Sequence, residues 1–297
     1  MTILVTGPVR DAAVQLSISP AAVRRLCARP TEPELIELHT AWCVAGGFAS
    51  DTTVVDRAEV LGRVSMALGP LLDLTGEQLA GWLSRDGWSA QTKATYHGHL
   101  SGFYRWCVDT GRLDVSPIAR LRKPRVPKRL PRPVARDVFR RIEAEATGRW
   151  LLVALLAAYA GLRCCEIARL HREDITDEVI TVVGKGGKMA TVPTHVKIWE
   201  AVWDLPPGLL MTRPRAGGQC TPEDISRGFA KYLRRELGIE GVTAHMLRHR
   251  FGTSVYQQTR DLLVASRLLR HASVATTQGY AEVEDDAPRA AIGRLAI

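Results

Sequence analysis

Thr243-Ala-His245-Met-Leu247-Arg248-His249-Arg250, followed after a helical segment by Leu268-Leu-Arg270-His271-Ala-Ser273-Val-Ala-Thr276-Thr277-Gln-Gly-Tyr280, is the stretch around which the rest of the sequence arranges itself. In His245-x-x-Arg248 the side chains stand at i and i+3, so on a helix an imidazole and a guanidinium face one site. Tyr280 follows His271 by nine positions, with Ser273 placed to cap a new helix between them. Tyr280 is the candidate nucleophile. Each residue alone has an ordinary explanation: a half-buried Tyr with its hydroxyl paired, a satisfied core histidine, a solvated basic face. Their order and spacing together point elsewhere.

Upstream, an apolar helix from Trp150 to Ala160 ends at Gly161 and runs into Leu162-Arg163-Cys164-Cys165-Glu166. An Arg and a Glu three apart also suit a plain helix ion pair. From Glu178 to Thr194 the period switches to alternation: Ile180-Thr-Val182-Val and Met189-Ala-Thr-Val192-Pro read as strands joined by Gly184-Lys185-Gly186-Gly187-Lys188. A phosphate-cradling loop would need Gly-x-x-x-x-Gly-Lys-Ser/Thr leading into a helix, and neither spacing nor context fits.

Residues 1–30 form a leader with two short candidate helices, Val9 to Leu16 and Pro20 to Leu26, faintly like a helix-turn-helix. Residues 31–118 read as a helical domain with helices near 32–45, 52–68, 76–84 and 90–110. Thr31-x-x-Glu34 and Thr75-x-x-Gln78 have the form of capping boxes, Asp51 and Ser89 are further caps, and Gly111 stands at a stop. In the last helix Leu100, Phe103, Tyr104 and Cys107 form a core stripe, whereas Thr92, Lys93, Tyr96 and His97 make its first turns polar. Residues 119–133 interleave Arg122, Lys123, Arg125, Lys128 and Arg129 with prolines, which excludes helix. At about 3.3 Å per residue this linker spans on the order of 45 Å. A second, mainly helical domain with the small sheet fills 134–297, giving a mainly α fold overall.

A length of 297 residues suits about two domains, and 46% hydrophobic residues suffice for their cores. Forty basic against thirty-one acidic residues leave +9, which favours a polyanionic partner, nucleic acid before membrane. The run Trp150 to Leu162 is too short to span a bilayer, and Arg10 and Asp11 interrupt any export signal. The six cysteines show no metal-ligand spacing and read as reduced thiols of a cytoplasmic protein.

Taken together, His245-x-x-Arg248, His271, Tyr280 and the Gly161-Leu-Arg163-x-x-Glu166 box resemble the tyrosine recombinases, the phage integrases and Xer-type enzymes. The resemblance covers about Thr31 to Tyr280. It implies a helical core-binding domain whose last helix, Thr92 to Trp106, lies along DNA, joined to a catalytic domain, with Thr92, Lys93 and Tyr96 and the linker residues Arg122, Lys123, Arg125, Lys128 and Arg129 as DNA-binding candidates. It also implies that Arg163 and Arg248 hold the phosphate oxygens, that His245 helps deprotonate Tyr280, and that His271 hydrogen-bonds the phosphate. Glu166 is implied as a supporting carboxylate and Lys185, with Lys188 as fallback, as the general acid of the β-turn. Neither metal nor ATP is implied. The departures are Cys164-Cys165 after the arginine and Arg270 where a Gly usually precedes His271.

The expected function is site-specific recombination of double-stranded DNA in the bacterial host cytoplasm, as a phage integrase acting in a homotetramer through a Holliday junction. A directionality factor is a further candidate partner. The C-terminal tail with Ile292, Leu295 and Ile297 docks into a neighbouring subunit in the family; packing on its own domain is the equal alternative. Three other readings stand beside the integrase: an Xer-like resolvase, a type IB topoisomerase, and a non-catalytic DNA-binding regulator that would leave these residues without a task.

Overall fold

The computed structural model describes residues 30–270 apart from 48, 128–131, 185, 186, 188, 215 and 216, and the chain divides into two compact units that meet between Pro127 and Lys128. The leader helices, Lys128, Arg129, Lys185, Lys188, His271, Ser273, Tyr280 and the tail therefore lie outside the described residues.

In the first unit the helices are α1 (Glu32–Ala45), α2 (Asp51–Leu68), α3 (Gly76–Leu83) and α4 (Ala90–Asp109). Local capping sets their starts. The Glu34 carboxylate accepts from the Thr31 N–H at 2.8 Å, while Thr75 and Gln78 satisfy each other's amides at 2.8 and 3.3 Å. Ser89 Oγ accepts from Thr92 N–H at 3.1 Å. At α2 the expected cap shifts by one: Ser50 takes the extended N-cap backbone and Asp51 is already helical. Gly111, at φ 69°, follows the end of α4, a backbone that costs glycine no steric clash.

Burial of one stripe from each helix holds this unit together. Leu35, Leu61, Val64, Leu79, Leu100 and Phe103 form the core, and Tyr104 brings its hydroxyl inside only because it donates to the Leu71 carbonyl at 2.9 Å. The segment expected to start as linker at residue 119 is packed on this unit as far as Leu121, beside the buried Ile118, and the Leu121 carbonyl lies 2.8 Å from His97 Nε2. His97, read as polar surface, is buried.

The second unit contains α5 (Arg136–Glu145), α6 (Gly148–Tyr159), α7 (Cys164–Arg169), β1 (Val179–Val183), β2 (Met189–Pro193), α8 (Val196–Val202), α9 (Pro222–Glu236), α10 (Ala244–Thr259) and α11 (Leu262–Leu269). Helix α6 runs through the middle with Leu152 to Ala158 buried, and α5, α8, α9 and α10 pack around it. The strands pair antiparallel from Val179 opposite Pro193 to Val183 opposite Met189; Ile180, Val182 and Val192 face the core, as the alternation requires. Mainly helical with one small two-stranded sheet among the described residues, the fold is the class expected from the sequence.

Candidate active site

The site is built at the corner where α6 gives way to α7. The chain turns at Gly161, whose φ of 60° puts it in the left-handed region. A Cβ there would stand 2.4 Å from the Phe251 ring of α10, so only glycine lets α10 come this close. Arg163 occupies the N-cap of α7, and its N–H donates to Glu166 Oε2 at 2.8 Å while its Nη1 donates to Glu166 Oε1 at 3.0 Å. One carboxylate thus caps the helix and orients the arginine.

Across from α7, α10 starts at Thr243, whose side chain accepts from the Met246 N–H at 3.3 Å, and one turn brings His245 and Arg248 to the same side. Arg248 is 2% exposed; it donates to the carbonyls of Gly161 and Leu269 and stands 3.8 Å from Glu166 Oε2. Arg163 and His245 line one open cleft of about 410 Å³ together with Cys164, Cys165, Glu223 and Arg227. The structure therefore brings together four of the expected residues: Arg163, Glu166, His245 and Arg248.

Sequence reasoning did not foresee the place of Arg270. Its side chain, 10% exposed, forks onto Glu166 with Nη2 at 2.8 Å from Oε2 and Nε at 3.4 Å from Oε1, and Nη2 also donates to the Gly161 carbonyl at 3.0 Å. The available signal was the replacement of glycine before His271. A second omission is His249, whose ring packs against that of His245 at 4.4 Å between centroids and steadies it. The repeat of histidine at i and i+4 was its signal.

The electrostatics follow from this geometry. Burial opposes ionisation of Glu166, but the hydrogen bond and charge of Arg270, then those of Arg163, outweigh it and hold the carboxyl below its usual value. His245 is held below the usual imidazole value by burial first, then by the charges of Arg248 and Arg163, so it is neutral at pH 7 with a lone pair available. Burial, then His245 and Arg248, push His249 down to about 4. Burial and the neighbouring Cys165 push the Cys164 thiol up to about 11, which leaves it a poor nucleophile. No group of three or more His, Cys, Asp or Glu suited to a metal occurs among the described residues.

The DNA-facing residues expected in the first unit are less uniform. Arg122, Lys123 and Arg125 are exposed. Thr92 is tied to the Ser89 cap, and Lys93 Nζ donates to the Ser84 carbonyl at 3.2 Å. Tyr96 packs its ring against Trp82 and Trp88 at 5.4 and 4.9 Å, and its hydroxyl accepts from Arg63 at 3.3 Å.

Comparison with known proteins gives a consistent picture. The profile of the phage integrase family matches residues 134–287. Tyrosine recombinase XerC of Rhodospirillum centenum is 32% identical over 229 residues, 68% of this chain and 66% of its own length. Its counterpart in Mesorhizobium japonicum is 32% identical over 244 residues, 74% of this chain and 78% of its own. Among solved structures, a XerH site-specific recombinase bound to its difH substrate superposes with a TM-score of 0.62 at 20% identity, covering 93% of this chain and 88% of that one. A lambda integrase dimer bound to a COC′ core site gives 0.68 at 19%, covering 91% and 84%. At these identities the structural likeness speaks for the fold alone.

Proposed function

Since the chain belongs to the phage integrase family, the tyrosine recombinases, which cut and rejoin DNA with a tyrosine nucleophile, we propose that it is a site-specific DNA recombinase with Tyr280 as its nucleophile. The observation that carries this reading is the convergence of Arg163, Arg248 and His245 at one corner around the buried Glu166.

Phosphodiester cleavage by tyrosine meets two obstacles. The phosphate charge repels a nucleophile, and a phenol with a pKa near 10 is roughly one part in a thousand ionised at pH 7. Arg163 and Arg248 answer the first by donating to the non-bridging oxygens, where charge grows in the transition state. His245 answers the second by taking the Tyr280 proton. The new bond joins the tyrosine oxygen to phosphorus as the bond to the 5′ oxygen breaks; Lys185, with Lys188 as fallback, protonates that leaving oxygen, and His271 donates to the phosphate. The product is a 3′-phosphotyrosyl link that conserves the energy of the diester, so the 5′-hydroxyl of another strand reverses the step. Arg122, Lys123, Arg125, Lys128, Arg129, Lys93 and Thr92 hold the duplex backbone. Tyr96 contributes through packing.

A double-stranded crossover site, a homotetramer and a junction intermediate complete this reading, supported by the solved lambda integrase tetramer bound to a Holliday junction that shares the fold. Between integration of phage DNA and an Xer-like resolution, the matched curated relatives, named XerC, favour the second. A suicide DNA substrate tests the chemistry: wild type should accumulate a covalent adduct and Tyr280→Phe none, and adducts from both or from neither would reject it. A two-plasmid assay then separates intermolecular integration from resolution of a dimer.

A further inference from the structure

Arg270 closes α11 in a left-handed backbone, φ 53° and ψ 45°, which glycine adopts freely and a residue with a Cβ does not. What offsets the clash is its side chain. Besides the fork onto Glu166 and the bond to Gly161, Nη1 donates to the Leu268 carbonyl at 2.8 Å. The last carbonyls of a helix have no partner inside the helix, and its dipole makes that end negative. Here three successive ones each receive a guanidinium: Leu268 from Arg270, Leu269 from Arg248 and Arg270 from Arg163, the last at 3.4 Å.

Two results follow for the reaction. The end of α11, from which the sequence continues directly to His271, is tied to the cleft through Arg163 and to the Gly161 corner through the buried Arg248. Of three guanidiniums against one carboxylate, Arg270 makes the shortest pair to Glu166 at 2.8 Å, against 3.0 Å for Arg163 and 3.8 Å for Arg248. The Glu166 charge is thereby met by a group that is itself nearly buried. Arg163 also pairs with Glu166 through Nη1 yet keeps 37% of its side chain exposed at the cleft, whereas Arg248 is buried on the carbonyls of Gly161 and Leu269.

We infer that Arg270 is a positioning residue of the strand-cutting step: it shares the Glu166 carboxylate with Arg163 and anchors the end of α11, so that Arg163 and Arg248 are held where they act on a DNA phosphate. This rests on the recombinase reading above. Its consequence is a split between binding and chemistry, because Arg270 itself does not touch the phosphate.

The test uses the full chain, a suicide DNA duplex at saturating protein, single-turnover adduct formation, gel-shift affinity and thermal melting. Arg270→Gly should slow adduct formation at least about ten-fold while affinity changes by less than about three-fold. Arg270→Lys keeps the charge but loses the fork, so it should recover only part of the rate, about three-fold or more over the Gly variant. If Arg270→Gly does not fold, Arg270→Met takes its place in the same comparison. Wild-type rate in the Gly variant, or a Lys variant no faster than the Gly variant, overturns the inference. An absence of adduct from wild type instead rejects the recombinase reading, so the two failures are told apart.

Discussion

Glu166 is only 3% exposed, yet it is held in its charged form by the guanidiniums around it. Because its folded pKa lies below the unfolded value of about 4.3, its stabilising share is present above that pH and is lost as pH falls through the lowered folded value. Glu166→Gln should therefore flatten the acid limb of the second unit's melting profile; an unchanged limb would mean the carboxylate is not charged in the fold. His245 titrates in the opposite chemical sense, since burial and two arginines favour its neutral form. The acid limb of adduct formation should therefore have its midpoint below about 6.5, where an ordinary imidazole would be half protonated, and a midpoint above that would reject His245 as the base. In the first unit burial, and secondarily Arg57, depress His39 to about 4, so unfolded chains take up a proton near pH 6.5 that the folded chain refuses. Between pH 6.5 and about 4 this removes on the order of 3 kcal/mol, and His39→Phe should abolish that loss in urea titrations at graded pH.

Elements were legible wherever their signals are local. Thr31, Thr75 and Ser89 each start a helix because a side chain and an amide three residues apart satisfy one another, and such pairs are visible in sequence; Thr221 starts α9 in the same way. Thr221→Ala should cost about 1 kcal/mol in urea denaturation by releasing the Asp224 amide. The start of α2 was misread by one residue because Ser50 and Asp51 are equally able caps and only the backbone decides between them. Less legible was anything settled by distant partners. Tyr96 has a polar tip, but the Trp82 and Trp88 rings claim its face. Arg270 reads as a mere departure from glycine until the carbonyl of Gly161 and the carboxylate of Glu166, over a hundred positions upstream, are seen beside it. The convergence of Arg163, His245 and Arg248 was legible only through the family's motif, since no local rule links α7 to α10. Gly161→Ala, with a Cβ 2.4 Å from Phe251 and a left-handed backbone, should lower stability by about 3 kcal/mol, read as a drop in the urea midpoint.

For the whole molecule the charge excess is the property most plainly written in the sequence, whereas its division between the units is not. Arg122, Lys123 and Arg125 stand exposed on the first unit, just beyond the packed Leu121. If each meets one phosphate, replacing all three by Ala should reduce the slope of log affinity against log salt by about 2.7, and the loss should be similar for specific and unrelated duplexes. An unchanged slope would remove this segment from the DNA interface. Each unit buries its own core, so damage to the first should weaken grip on DNA without altering the pH profile of cutting. The same independence does not hold inside the second unit. The oxygen of residue 161 serves two arginines at once while its missing side chain makes room for α10, so one atom's displacement there is felt as both looser folding and misaimed chemistry. Directed evolution toward heat tolerance would accordingly gather its gains away from this corner, where sturdiness and turnover cannot be traded one against the other.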